Sequence, residues 1–136
     1  MTRISMRILL LTDGLIGSLF GVFSYLFPEQ TFGTLFRIDV VSKPLTLVLL
    51  EYTSVFYILL GIICFAGMVM NEQSQAILSI IMIVRHSIFC LLGIMQIGKD
   101  WLIGNPYYDV VIQFTFISLY VLALLWWKVN RKTALW

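Results

Sequence analysis

Four apolar stretches, at about residues 8–27, 45–70, 76–97 and 108–127, constrain this chain more than any other feature of its sequence. Each is close to the ~20 residues that a helix needs to cross a ~30 Å hydrocarbon core. In lipid, every backbone N–H and C=O must be paired without help from water, and at this length a helix does so within its own segment. The boundaries carry their own signals. Pro28 closes the first stretch, because the residue before a proline is disfavoured in helical geometry. Pro44 opens the second, at a position where a missing N–H costs nothing. Gly98, Lys99 and Asp100 end the third, and Gly104, Asn105 and Pro106 precede the fourth.

Composition removes the soluble alternative. Of 136 residues, 60% are hydrophobic and 12% charged, with a mean hydropathy of +0.97. A soluble domain this small buries too small a share of its surface to hide so much apolar area. The expectation is an all-α, integral membrane four-helix antiparallel bundle, with residues 1–136 as one transmembrane domain. Asn71 to Gln75 reads as a tight turn joining the second and third spans. The connection from Pro28 to Lys43 is longer. Phe32, Leu35, Phe36 and Ile38 recur there at roughly helical spacing beside Glu29, Arg37 and Asp39, which predicts a short amphipathic segment in the interface. Trp101, Tyr107 and Tyr108 in the third connection favour the headgroup region. The N-terminal run lacks a small-residue cleavage site and is read as a retained span.

The net charge of +2 comes without a dense basic face, so nucleic acid is not an expected partner; the lipid bilayer is. Counted by side, Arg3, Arg7, Lys128, Arg131 and Lys132 face Arg37, Lys43 and Lys99 across the membrane. That imbalance favours both termini in the cytoplasm. Cys64 and Cys90 lie in apolar stretches without metal or redox spacing and read as small buried hydrophobes.

Charged groups at membrane depth need a partner, a water-filled cavity or a task. Asp13, Glu51, Arg85, His86 and Asp109 are the ones to place. At ~1.5 Å of rise per residue, Asp13 and Arg85 fall within roughly 6 Å of one level, close enough for a buried ion pair. Glu51 sits near the opposite mouth, level with Gln96, Asp109 and Gln113. This predicts a second polar layer, with Tyr120 extending the Asp109–Gln113 stripe inward. Glu51, His86 and Asp109 are the candidates for acid–base catalysis. His86 is the single histidine, which excludes bis-histidine haem ligation within one chain. A His86–Cys90 metal site would lack further ligands, so no metal or cofactor is expected on this chain alone. Gly14, Gly17 and Gly21, with Ser24 beyond, form a small-residue face suited to close helix packing. Gly61, Ala66, Gly67 and Gly93 suggest tight contacts on the second and third spans.

This layout resembles the DoxX-like small four-helix bacterial membrane proteins. The likeness rests on the glycine-bearing first span closing in Tyr25, Leu26, Phe27 and Pro28, and on the amphipathic connection after it. It rests also on Glu51 early and Leu60 and Gly61 late in the second span, and on Arg85 ahead of Gly93 in the third. Tyr52, Thr53 and Ser54 stand where such proteins carry an arginine. The resemblance implies architecture and a bacterial inner-membrane location rather than a reaction.

Three functions compete. The first is an accessory or structural subunit, self-associating or joined to other membrane subunits. Apolar aromatics at Phe56, Phe114, Phe116, Trp126 and Trp127 would serve its lipid, pigment or partner surfaces. The second is an isomerase- or cyclase-like membrane enzyme moving protons on a lipophilic substrate. A small transporter ranks third.

Overall fold

A computed structural model describes residues 5–33, 44–97 and 106–133. Four long helices account for nearly all of them: α1 Met6–Leu26, α2 Pro44–Val69, α3 Glu72–Gln96 and α4 Pro106–Thr133. A single π-helical turn, Glu29–Gly33, follows α1, and no strand occurs among the described residues. Each helix contains a stretch long and apolar enough to span a bilayer, with mean hydropathies of 1.6, 2.1, 2.2 and 2.0 in chain order. The chain is an all-α, four-helix membrane protein.

The helix ends are built by local hydrogen bonding. Ser5 caps α1 by accepting from the Arg7 N–H at 3.2 Å. Asn71 caps α3 by accepting from the Ser74 N–H at 2.9 Å. Gln75 then reaches back, its Nε2 donating to the carbonyls of Met68 and Met70 at 3.0 and 2.8 Å. These are among the carbonyls that the end of α2 leaves without an intrahelical partner. The turn is therefore shorter than the expected Asn71–Gln75 segment, and α3 begins at Glu72 rather than near Ala76. The residues read as a polar turn are the cap and first turn of the helix, where Glu72 suits the positive end of the helix dipole. At the other end, α4 runs to Thr133 rather than stopping near Trp127. Lys128, Arg131 and Lys132 are good helix formers, so the helix continues past its apolar stretch. The expected interfacial segment lies mostly outside the described residues, as does Trp101.

Packing divides the helices into two close pairs, α1 with α2 and α3 with α4. Helices α1 and α3 each approach all three others, and α2 and α4 do not approach each other among the described residues. Small side chains bring α1 and α2 together. A Cβ on Gly21 would lie 2.7 Å from the Ser54 carbonyl oxygen and 2.9 Å from the Ile58 nitrogen. A Cβ on Gly61 would collide with the Ser18 hydroxyl and sit 2.9 Å from the Gly14 carbonyl. The glycine face of α1 thus serves contact within the bundle. Gly93 is buried on α3, whereas Ala66 is exposed. Leu10, Cys64, Met82, Tyr120 and Ala123 form the centre of the core, while most large apolar side chains point outward, as a lipid-solvated surface requires.

Candidate functional site

Three helices bring a polar cluster together near the middle of the membrane. By helical rise, Asp13 lies ~4.5 Å to one side of the centre of α1 and His86 ~4 Å beyond the centre of its span. Tyr120 is at the midpoint of its own span, Val110–Asn130. Asp13, His86 and Tyr120 are each almost completely buried. The bundle can hold an ionised carboxylate there only by supplying it with donors.

Asp13 receives three donors. Its Oδ1 accepts from Arg85 Nη2 at 2.8 Å. Its Oδ2 accepts from His86 Nε2 at 2.9 Å and from the Tyr120 hydroxyl at 3.1 Å. The other imidazole nitrogen, Nδ1, meets Gln113 Oε1 at 2.5 Å. Arg85 Nη2 also lies 2.9 Å from Nε2 and 3.4 Å from Nδ1. An approach along either lone pair in the ring plane would leave the other nitrogen much farther away. The guanidinium nitrogen therefore sits over the face of the imidazole. Phe116 stacks parallel to the same ring, with centroids 4.9 Å apart and an interplanar angle of 3°, so the imidazole is held between an aromatic ring and a cation.

Local sequence explains the assembly. On α3, Gln75, Ser79, Met82, His86 and Cys90 recur at three- and four-residue steps and are all buried. On α4, Phe116, Tyr120 and Ala123 do the same, with Gln113 half-buried at the head of the stripe. Cys64 of α2 lies against this layer, its Sγ 4.0 Å from Met82 Sδ.

The expected partners Asp13 and Arg85 meet directly. The second layer does not form as drawn. Glu51 is exposed on the outside of α2, and Gln113 turns to His86 instead. The side chains of Gln96 and Asp109 lie outside the described residues. Phe116, expected on an outer surface, is buried against His86, and Trp127 packs against the core, whereas Phe56, Phe114 and Trp126 are exposed. The role of Phe116 was readable in principle, since Gln113, Phe116 and Tyr120 share one helical stripe.

A separate open groove of about 630 Å³ is lined by Leu19, Phe20, Phe23, Phe27, Gln30 and Thr31. Its nearest residue is six positions along α1 from Asp13, or ~9 Å of helix. Among the described residues, no three of His, Cys, Asp and Glu gather as a metal site. No protein-family model, curated protein or solved structure matches the chain.

Proposed function

We propose that this protein is a small structural or accessory membrane subunit, in which the polar cluster fixes α1 against α3 and α4. One observation carries the reading: both oxygens of the buried Asp13 carboxylate are taken up by side chains of the same chain. A cluster closed on itself discriminates between helix arrangements, which apolar packing in lipid does poorly. The bundle's outward apolar surface, including Phe56, Phe114 and Trp126, then meets lipid or neighbouring subunits. The DoxX-like layout and the basic residues near both termini support a bacterial inner-membrane location with the termini cytoplasmic.

Extraction in mild detergent followed by native mass spectrometry tests this. The expected result is a particle containing further copies or other membrane subunits. A monomer that carries only lipid and is fully stable alone would overturn the accessory role.

Acid–base chemistry on a lipophilic substrate is the second reading, favoured by the contact of His86 with Asp13. It ranks below the first because neither His86 nor Asp13 lines the apolar groove, whose nearest residue is ~9 Å along α1 from Asp13. A catalytic site needs its acid and base within hydrogen-bond reach of the reacting atoms.

A further inference from the structure

The residues lining the open groove change character in order along the chain. Leu19, Phe20 and Phe23 lie inside the spanning stretch Met6–Leu26, Phe27 is the C-cap of α1, and Gln30 and Thr31 follow in the π-helical turn. Its volume of about 630 Å³ falls within the roughly 300–1,000 Å³ of small-ligand sites. From Leu19 to Phe27 the groove follows ~12 Å of helix, from the hydrocarbon towards the headgroups of the leaflet at the C-terminal end of α1. Phe20 is half-buried, its ring edge-on to Tyr57 of α2 with centroids 5.0 Å apart. Leu19, Phe23 and Phe27 are exposed beside it, the last two with ring centroids 6.2 Å apart.

The headgroup end of the groove holds polar groups that the protein leaves unused. Elsewhere Thr12, Thr53 and Thr115 each donate their hydroxyl to the carbonyl four residues back, at 2.8–2.9 Å. Thr31 gives Phe27 O only its backbone N–H, at 2.9 Å. Its hydroxyl, the Gln30 amide and the Glu29 carboxylate have no partner among the described residues. A hydroxyl and an amide NH₂ are donors, and the ester carbonyls of a glycerolipid accept at this depth. The lining itself is uncharged, and Glu29 is the one charged side chain between Gly14 and Gly33. Exposed next to Gln30, it attracts an ammonium headgroup and repels an anionic one.

The geometry points to a binding site for one aminophospholipid of this leaflet. One acyl chain lies in the groove against Leu19, Phe20, Phe23 and Phe27, an ester carbonyl accepts from Gln30 or Thr31, and the ammonium group pairs with Glu29. A single lipid molecule supplies the chain, the carbonyl and the cation in the same order along the membrane normal in which the groove takes them. The site stands apart from the buried cluster and does not depend on the accessory role.

Photolabelling of the whole protein tests this in bilayers of equal parts phosphatidylethanolamine and phosphatidylglycerol, with a trace of either lipid carrying a diazirine on one acyl chain. Labelled positions are mapped by peptide mass spectrometry. The phosphatidylethanolamine probe should label Leu19 to Phe27 about fivefold more than the phosphatidylglycerol probe, the effect of one charge at a membrane surface. Phe114, exposed on α4, should be labelled equally by both. Equal labelling in the groove would mean bulk lipid only and overturn the site, and so would a groove that neither probe reaches because protein covers it. Glu29→Gln should abolish the preference, whereas Glu51→Gln should keep it; a preference that survives Glu29→Gln would overturn the headgroup assignment. Leu19→Trp, at an exposed position, should fill the apolar end, leave thermal unfolding unchanged and reduce groove labelling to the level at Phe114. Undiminished labelling in that variant would show that the lipid does not sit in the groove.

Discussion

Truncating the two members of the buried ion pair should have unequal effects. Asp13 is the sole carboxylate bonded to Arg85 among the described residues, whereas Asp13 itself has two further donors, His86 and Tyr120. Asp13→Ala therefore strands a guanidinium at mid-membrane, at a cost of about 3–5 kcal/mol. It also leaves the Tyr120 hydroxyl without its acceptor, adding about 1–3 kcal/mol. Arg85→Ala leaves the carboxylate two hydrogen bonds, from His86 and Tyr120, so a smaller loss of about 2–3 kcal/mol is expected. Thermal unfolding in detergent, followed by tryptophan fluorescence, measures both. At roughly 2–4 °C per kcal/mol, Asp13→Ala should lower Tm by about 10 °C or more, and Arg85→Ala by about half as much. The double substitution should lie well short of the sum, with a coupling of about 1–3 kcal/mol. Equal single losses would refute the unequal partnering argued from the geometry. Strictly additive losses would show that the two side chains do not interact.

Close backbone approach makes the glycines of α1 unequal too. Gly21→Ala forces its Cβ against the backbone of α2 and should cost about 1–3 kcal/mol; Gly17→Ala meets Tyr57 O at an ordinary 3.6 Å and should be nearly silent. Chemical denaturation of the two variants side by side checks the contrast, and equal stabilities would contradict it. Glu51→Gln should change stability by less than about 0.5 kcal/mol, as is usual for substitutions away from packed features; a large loss would mean that the exposed carboxylate is engaged in the native membrane. Cysteines introduced at Thr133 should label only from the cytoplasm and those at Asn105 only from the far side, and the reverse pattern would invert the topology.

The four spans were legible in the sequence because their number follows from apolar length alone, which lipid makes nearly decisive. The level of Asp13 and Arg85 was legible for a related reason: counting residues from a span's end estimates depth. Counting does not reveal which way a side chain points around its helix. Glu51 and Gln113 were placed in one layer by depth, yet α2 turns Ser54, Gly61 and Cys64 inward and leaves Glu51 outside. Gln113 shares a stripe with Phe116 and Tyr120, so it follows them to His86. The ends of α3 and α4 shifted because capping and good helix formers extend helices beyond their apolar portions.

The separation of 72 residues between Asp13 and Arg85 also has a meaning in time. At ~5–20 residues per second of synthesis, the carboxylate is made about 4–14 s before its cation. Until then the glycine face can already join α1 to α2, but the acid has neither Arg85 nor His86 nor Tyr120. An unaccompanied aspartate near the centre of a span opposes insertion by about 3 kcal/mol, and the spanning stretch of α1 is the least hydropathic of the four. The carboxylate of the first helix therefore gains its partners only when the third and fourth helices follow it.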